Sequence, residues 1–72
     1  MLLNKCKPGI LYKVVDIKAK EDTVEFLNNL GCRIEEEIVV INKIGSNLVF
    51  NVLDGRYGID INMAKLIEVE KI

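Results

Sequence analysis

The side chains able to do chemistry in this chain are few and scattered. It contains no histidine, and its only serine is Ser46. Nucleophilic catalysis needs a Ser, Cys or Thr beside an activating base, and no such pair can be assembled. A phosphate-binding loop needs several glycines leading into a helix N-terminus, whereas Gly31 is predicted to end a helix. We therefore predict a protein that is not an enzyme, with no catalytic residues and no cofactor.

The two cysteines and the acidic run are the remaining candidates for a metal site. Cys6 and Cys32 form neither a C-x-x-C pair nor a zinc-ligand spacing, so they indicate free thiols in a reducing compartment. Cys32 is interpreted as a small core residue, and no role is assigned to Cys6. Glu35 to Glu37 is interpreted as a solvated entry to a strand, because neighbouring strand residues point to opposite faces and do not converge on a cation. No metal site is predicted.

Charge and hydropathy limit the partners. The formal net charge is -1 and the pI is near 5.3, which argues against binding of nucleic acid through clustered cations. The longest apolar run, 38–41, is far shorter than the roughly 18 residues that span a bilayer. Polar residues interrupt the apolar start at once, so no export signal is indicated. We expect a soluble cytoplasmic protein without direct membrane insertion.

The elements that must position these residues are mainly strands. β-Branched and apolar runs predict five strands, at 10–17, 38–44, 48–53, 56–59 and 67–71. A short helix from Thr23 to Leu30 is predicted to open with a capping box of Asp22 and Glu25 and to end at Gly31. Asp60 is predicted to cap a single helical turn over 61–66.

Packing and turn signals complete the predicted fold. Leu27 and Leu30 are expected to pack on the sheet, since two turns of helix are not stable alone. Asp54 and Gly55 predict a two-residue hairpin turn, and Gly58 predicts a bend or a close backbone approach. At 72 residues the chain is expected to be a single domain, 1–72. The fold class is mainly β: a small SH3-like β-barrel of about five strands, with one short α-helix between the first two strands and one helical turn before the last strand.

Several stretches resemble the ferrous iron transport protein A family, FeoA, in their order and spacing. The matching residues are Lys7, Pro8 and Gly9 before the first strand, then Phe26, Leu27, Leu30 and Gly31, and finally Arg56, Tyr57, Gly58, Ile59, Asp60, Met63, Ala64, Ile67 and Val69. One departure follows Gly31. The family commonly has a Pro-Gly turn there, and Ile34 and Glu35 stand in its place.

The resemblance implies a cytoplasmic accessory protein of bacterial ferrous iron uptake. It would bind the cytoplasmic part of the GTPase-bearing transporter FeoB and modulate it rather than catalyse a reaction. The expected contact residues are Leu30, Gly31, Arg33 and Ile34, exposed at the lip of the bend after the helix.

Two alternatives remain at this point. The chain also resembles the C-terminal SH3-like domain of iron-dependent repressors, which binds protein segments or helps to build a metal site. A nucleic-acid-binding barrel is the third interpretation, and Tyr57 beside Arg56 is its one candidate for stacking on a base. The oligomeric state is left open.

Overall fold

The computed structural model describes residues 1–72, and all of the predicted elements are present, preceded by a 3₁₀ turn at Leu3–Lys5 that was not predicted. In chain order the predicted elements are β1 at Leu11–Ile17, α1 at Glu21–Leu30, β2 at Glu37–Ile44, β3 at Asn47–Val52, β4 at Gly55–Asp60, α2 at Ile61–Ala64 and β5 at Ile67–Lys71. Each of their ends lies within two residues of the predicted one. The mainly β, SH3-like prediction is confirmed.

The sheet is open rather than a closed barrel. Its strand order is β4-β3-β2-β1-β5, and every neighbouring pair is antiparallel. The outer edge of β5 is occupied by the start of the chain, because Leu2 forms a bridge with Glu68 and the Val69 N–H donates to the Met1 carbonyl at 2.7 Å. Those β5 groups are therefore not available for pairing with β4, and α2 alone links the two edge strands.

Two β-bulges bend the sheet around its core. The register shifts between Val14 and Asp16 where β1 pairs with β5, and between Val40 and Asn42 where β2 pairs with β3. A bulge raises the local twist and bends the strand that carries it. The first bulge explains why apolar residues in β1 stand in adjacent pairs instead of alternating.

The core is built from apolar side chains alone. No charged or polar residue is buried. The face of β3 that carries Leu48, Phe50 and Val52 is buried as predicted, and Leu27 anchors α1 to the same cluster. Cys32 is a core residue, and Cys6 joins it there. Burial raises the pKa of the Cys32 thiol to about 11 and also raises that of Cys6, so neither is poised as a nucleophile at neutral pH.

The predicted capping box of α1 is wrong. The helix begins at Glu21, and its N-cap residue, Lys20, makes no side-chain hydrogen bond. Asp22 lies inside the first turn, where its carboxylate accepts from the Thr23 N–H at 2.8 Å. Acidic residues in a first turn are favoured by the helix dipole, so Asp22 and Glu21 support the helix start without capping it.

The prediction for α2 is confirmed, and the close backbone approach offered for Gly58 is not found. The Asp60 carboxylate accepts from the Asn62 N–H at 2.7 Å and so caps the first turn of α2. Gly58 has no atom within 4 Å of the place that a Cβ would occupy. It lies on β4, an edge strand of an open sheet, so no second backbone approaches it.

Candidate functional site

The C-terminus of α1 is locked to the sheet through Gly31. The Gly31 N–H donates to the Asn28 carbonyl at 3.0 Å, and the Cys32 N–H donates to the Leu27 carbonyl at 2.9 Å. This is the Schellman pattern, which requires a left-handed residue, and Gly31 has φ 101°. A Cβ on Gly31 would lie 2.8 Å from Cδ1 of Leu53, so the helix end and the turn between β3 and β4 are in contact.

The bend after Gly31 is held by backbone hydrogen bonds to β1. The Glu35 N–H donates to the Val14 carbonyl at 2.7 Å, and the Val14 N–H donates to the Glu36 carbonyl at 2.9 Å. Glu35 has φ 81°, a left-handed conformation that costs a side-chain-bearing residue about 1–2 kcal/mol. It stands where the related family commonly has the glycine of a Pro-Gly turn. In this chain the left-handed position of the bend is occupied by a residue that carries a carboxylate.

The turn between β3 and β4 differs from the predicted Asp54–Gly55 turn by one residue. Val52 pairs with Gly55, so the two turn residues are Leu53 and Asp54. Gly55 therefore belongs to β4, where the ring of Tyr57 occupies the space that a Cβ on Gly55 would need. Leu53 is consequently placed at φ 53° with 63% of its surface exposed. Leu53 and Glu35 are the only residues other than glycine with positive φ.

A groove of about 430 Å³ on the outer face of the sheet brings these residues together. Leu11, Val39 and Asn51 are register partners across β1, β2 and β3 and form its floor. The full lining is Leu11, Glu35, Glu36, Glu37, Val39, Asn51, Val52 and Leu53. It contains three carboxylates and no cationic side chain. Two cations lie at its margin: the Nζ of Lys13 is 3.6 Å from Oε2 of Glu35, and the Nε of Arg56 donates to Oδ1 of Asn51 at 3.1 Å.

The four predicted contact residues lie beside this groove rather than in it. Ile34 is 54% exposed, and Arg33 is exposed with its Nε donating to the Asn28 carbonyl at 3.2 Å. Gly31 is buried and Leu30 is half-buried against the core, so the expectation that all four are exposed is wrong for these two. The reason is the Schellman pattern, which folds the helix end inward.

Sequence reasoning missed Glu35 and Leu53 as site residues. For Glu35 a signal existed, because it occupies the position at which a glycine is common in the family. For Leu53 the local signal pointed elsewhere, since Asp-Gly is the favoured turn pair. Only the pairing of β3 with β4 shows that the apolar residue lies in the turn.

A second concavity, of about 750 Å³, lies at the start of α1. Its lining is Asp16, Ile17, Lys18, Ala19, Lys20, Thr23 and Leu66. Both charge signs occur there, and Lys18 is already paired with Glu68, with Nζ 3.1 Å from Oε1. The smaller groove is the stronger candidate, because it combines a single charge sign, exposed apolar side chains and both left-handed residues.

The structure brings together neither a base-stacking surface nor a cluster of metal ligands. Arg56 donates from Nε to Oδ1 of Asn51 at 3.1 Å, whereas the Tyr57 ring packs near Phe50, with ring centroids 6.1 Å apart. Neighbouring residues of β4 point to opposite faces, so Arg56 and Tyr57 do not form one stacking surface. The structure contains no group of three or more Cys, Asp or Glu side chains arranged to hold a metal ion. None of its helices has the length and apolar character needed to cross a membrane.

The bent five-stranded sheet, its inserted helix and the groove on its outer face define a small SH3-like β domain. The family model of the FeoA domain matches residues 1–71. The chain therefore belongs to the FeoA family. A comparison with curated proteins finds no match.

Solved structures share the fold over the whole chain. The crystal structure of an iron uptake regulatory protein (FeoA) superposes with a TM-score of 0.92 at 22% identity, covering 100% of this chain and 97% of that one. Iron(II) transport protein A from Clostridium thermocellum gives 0.93 at 24% identity, covering 100% of this chain and 46% of that one. A manganese-dependent transcriptional repressor gives 0.90 at 15% identity, covering 100% and 41%. At these identities the likeness establishes the fold.

Proposed function

We propose that this protein is a small cytoplasmic accessory protein of ferrous iron uptake, and that its residues 1–72 act as one domain that binds the cytoplasmic part of the transporter FeoB. The observation that carries the proposal is the match to the FeoA domain over residues 1–71. The solved relatives named as an iron uptake regulatory protein and as iron(II) transport protein A support it. The protein modulates the GTPase of its partner and catalyses no reaction itself.

The bend after α1 supplies the proposed contact. Arg33 and Ile34 present a cation and an exposed branched side chain next to each other. Leu30 and Gly31 fix the position of this bend, because Leu30 packs on the core and Gly31 provides the left-handed end of the helix. A rigidly supported apolar side chain loses little conformational entropy on binding, which favours it as an anchor.

The proposal is tested by titrating the ¹⁵N-labelled protein with the purified cytoplasmic part of FeoB from the same organism. Amide signals of the bend are expected to shift, and the rate of GTP hydrolysis by FeoB is expected to change. Ile34→Ser should weaken binding, whereas Ile44→Ser, which removes an equally exposed isoleucine at the far end of β2, should not. Absence of any shift at several hundred micromolar of both proteins would refute the proposal.

A second candidate function is a regulatory domain like those attached to metal-dependent repressors. It is favoured by the superposition on the manganese-dependent transcriptional repressor at a TM-score of 0.90. Such a domain would bind a protein segment or help to hold a metal. Anaerobic titration of the protein with Fe²⁺ separates the two functions, since tight stoichiometric binding would favour the regulatory domain over the FeoB-binding one.

A further inference from the structure

Backbone strain converges on the groove between the bend and the β3–β4 turn. Glu35 and Leu53 belong to different segments, yet both are left-handed and both line the same groove. Residues held in disfavoured backbone conformations persist only where the surrounding structure enforces them, and they cluster at functional sites. These left-handed conformations place the carboxylate of Glu35 and the largely exposed side chain of Leu53 in the lining of one groove.

The lining of the groove determines what chemistry it can recognise. Leu11 and Leu53 expose apolar surface, with 41% and 63% of each residue accessible. Glu35, Glu36 and Glu37 add negative charge, and only Glu35 has a cation within ion-pair distance. A nucleic acid or an acidic segment would be repelled, whereas Lys or Arg beside a branched apolar residue would be attracted and then buried.

We infer that this groove is the docking site for a basic, apolar segment of the partner protein. The inference rests on the proposed function, because the segment is sought in the cytoplasmic part of FeoB. The glutamates attract the Lys or Arg side chains of the segment, and Leu11, Val39 and Leu53 receive its apolar side chain. Ile34 is exposed and directly precedes Glu35 in the chain, so an apolar side chain of the segment can reach the bend from the groove.

Two probes test the inference on the whole chain. The first is the cytoplasmic part of FeoB, and the second is a blocked hexapeptide that alternates leucine with lysine. Both are titrated into the ¹⁵N-labelled protein, and amide signals of Leu11, Glu37, Val39 and Leu53 are expected to shift. The same peptide with glutamate in place of lysine should produce no shifts. Binding should weaken as salt is raised from 0.1 M to 1 M, where the Debye length falls from about 10 Å to about 3 Å.

Matched variants identify the groove as the site. The double variant Glu36→Gln/Glu37→Gln should raise the dissociation constant for both probes about tenfold. The control Glu21→Gln/Glu25→Gln removes the same charge from exposed positions of α1 and should leave it unchanged.

A glycine variant tests the leucine without unfolding the protein. Leu53→Gly removes the exposed side chain and at the same time relieves its left-handed backbone, so it is expected to fold and yet to bind more weakly. Urea unfolding of this variant supplies the control for stability.

The outcomes distinguish the inference from the function on which it rests. If FeoB binds, and its dissociation constant is the same for the groove variants and for the original chain, the docking site is refuted and the proposed function stands. If the lysine peptide binds in the groove and FeoB does not, the proposed function fails and the chemistry of the groove is supported. Concentration-dependent shifts of the groove signals without any probe would assign the groove to a second copy of this chain and overturn the inference.

Discussion

Replacement of Gly31 by alanine tests the junction on which the site depends. Gly31 adopts φ 101° and ψ -2°, where an added Cβ meets its own backbone. The left-handed conformation costs a residue with a side chain about 1–2 kcal/mol. The new Cβ would also lie 2.8 Å from Cδ1 of Leu53, closer than real contacts allow.

The steric part of the cost is smaller than the backbone part. Leu53 is 63% exposed, so its side chain can rotate away at a cost of about 0.5–1.5 kcal/mol for a displaced rotamer. Alanine also lowers the conformational entropy of the unfolded chain, and this stabilises the folded state by roughly 0.4–1 kcal/mol. The net loss for Gly31→Ala is therefore about 0.5–3 kcal/mol. Stability of about 4–11 kcal/mol is typical at this length, so the variant remains folded.

Urea unfolding followed by circular dichroism measures this loss, and a double-mutant cycle separates its two parts. Leu53→Ala removes the overlapping atoms but keeps the left-handed turn. Most of the loss from Gly31→Ala should persist in the Leu53→Ala background, because the backbone cost does not depend on residue 53. A loss below about half a kcal/mol in the single variant would refute the requirement for a left-handed residue. A loss that disappears in the double variant would show that the overlap dominates.

Four further predictions concern the core, the second helix and two titratable groups. Leu27→Ala should cost about 2–5 kcal/mol, because Leu27 is fully buried. Asp60→Ala should cost about 0.5–2 kcal/mol through loss of the cap on α2, again measured in urea. The buried Cys32 thiol, with a pKa of about 11, should react with a thiol reagent at pH 8 only after denaturation. The hydrogen bond from Lys18 lowers the pKa of Glu68, so this pair stabilises the fold above the usual carboxyl pKa near 4.5 and the effect is lost as the pH falls through the folded-state pKa. Lys18→Met should raise the pKa of Glu68 in an NMR titration.

Each of these measurements has an outcome that contradicts the structure. Leu27→Ala with nearly unchanged stability would place α1 off the sheet. Asp60→Asn, which keeps an oxygen able to cap α2, is the control, and an Asp60→Ala variant as stable as this control would show that the cap contributes nothing. Rapid labelling of native Cys32 would mean that the helix end opens readily. An unchanged Glu68 titration in Lys18→Met would show that the ion pair does not form in solution.

The sequence by itself determined where most elements lie. β-Branched runs marked the strands, Gly31 marked the end of α1, and Asp60 marked the start of α2. These signals act over a few residues, because side-chain packing on a pleated surface, a left-handed helix end and a side-chain cap are local interactions. The helix start was misplaced by the same kind of reasoning, because Asp22 fits a cap and a first turn equally well.

The tertiary structure alone decided the groove. The register of β3 with β4 pairs Val52 with Gly55, and this places Leu53 in the turn. The left-handed bend at Glu35 depends on hydrogen bonds to Val14, which is 21 positions earlier in the chain. Whether the sheet closes depends on which segment reaches the edge of β5. The β3–β4 register, the bend at Glu35 and the open edge of β5 each depend on which backbone groups of separate segments pair with one another. No short stretch of the sequence shows this pairing.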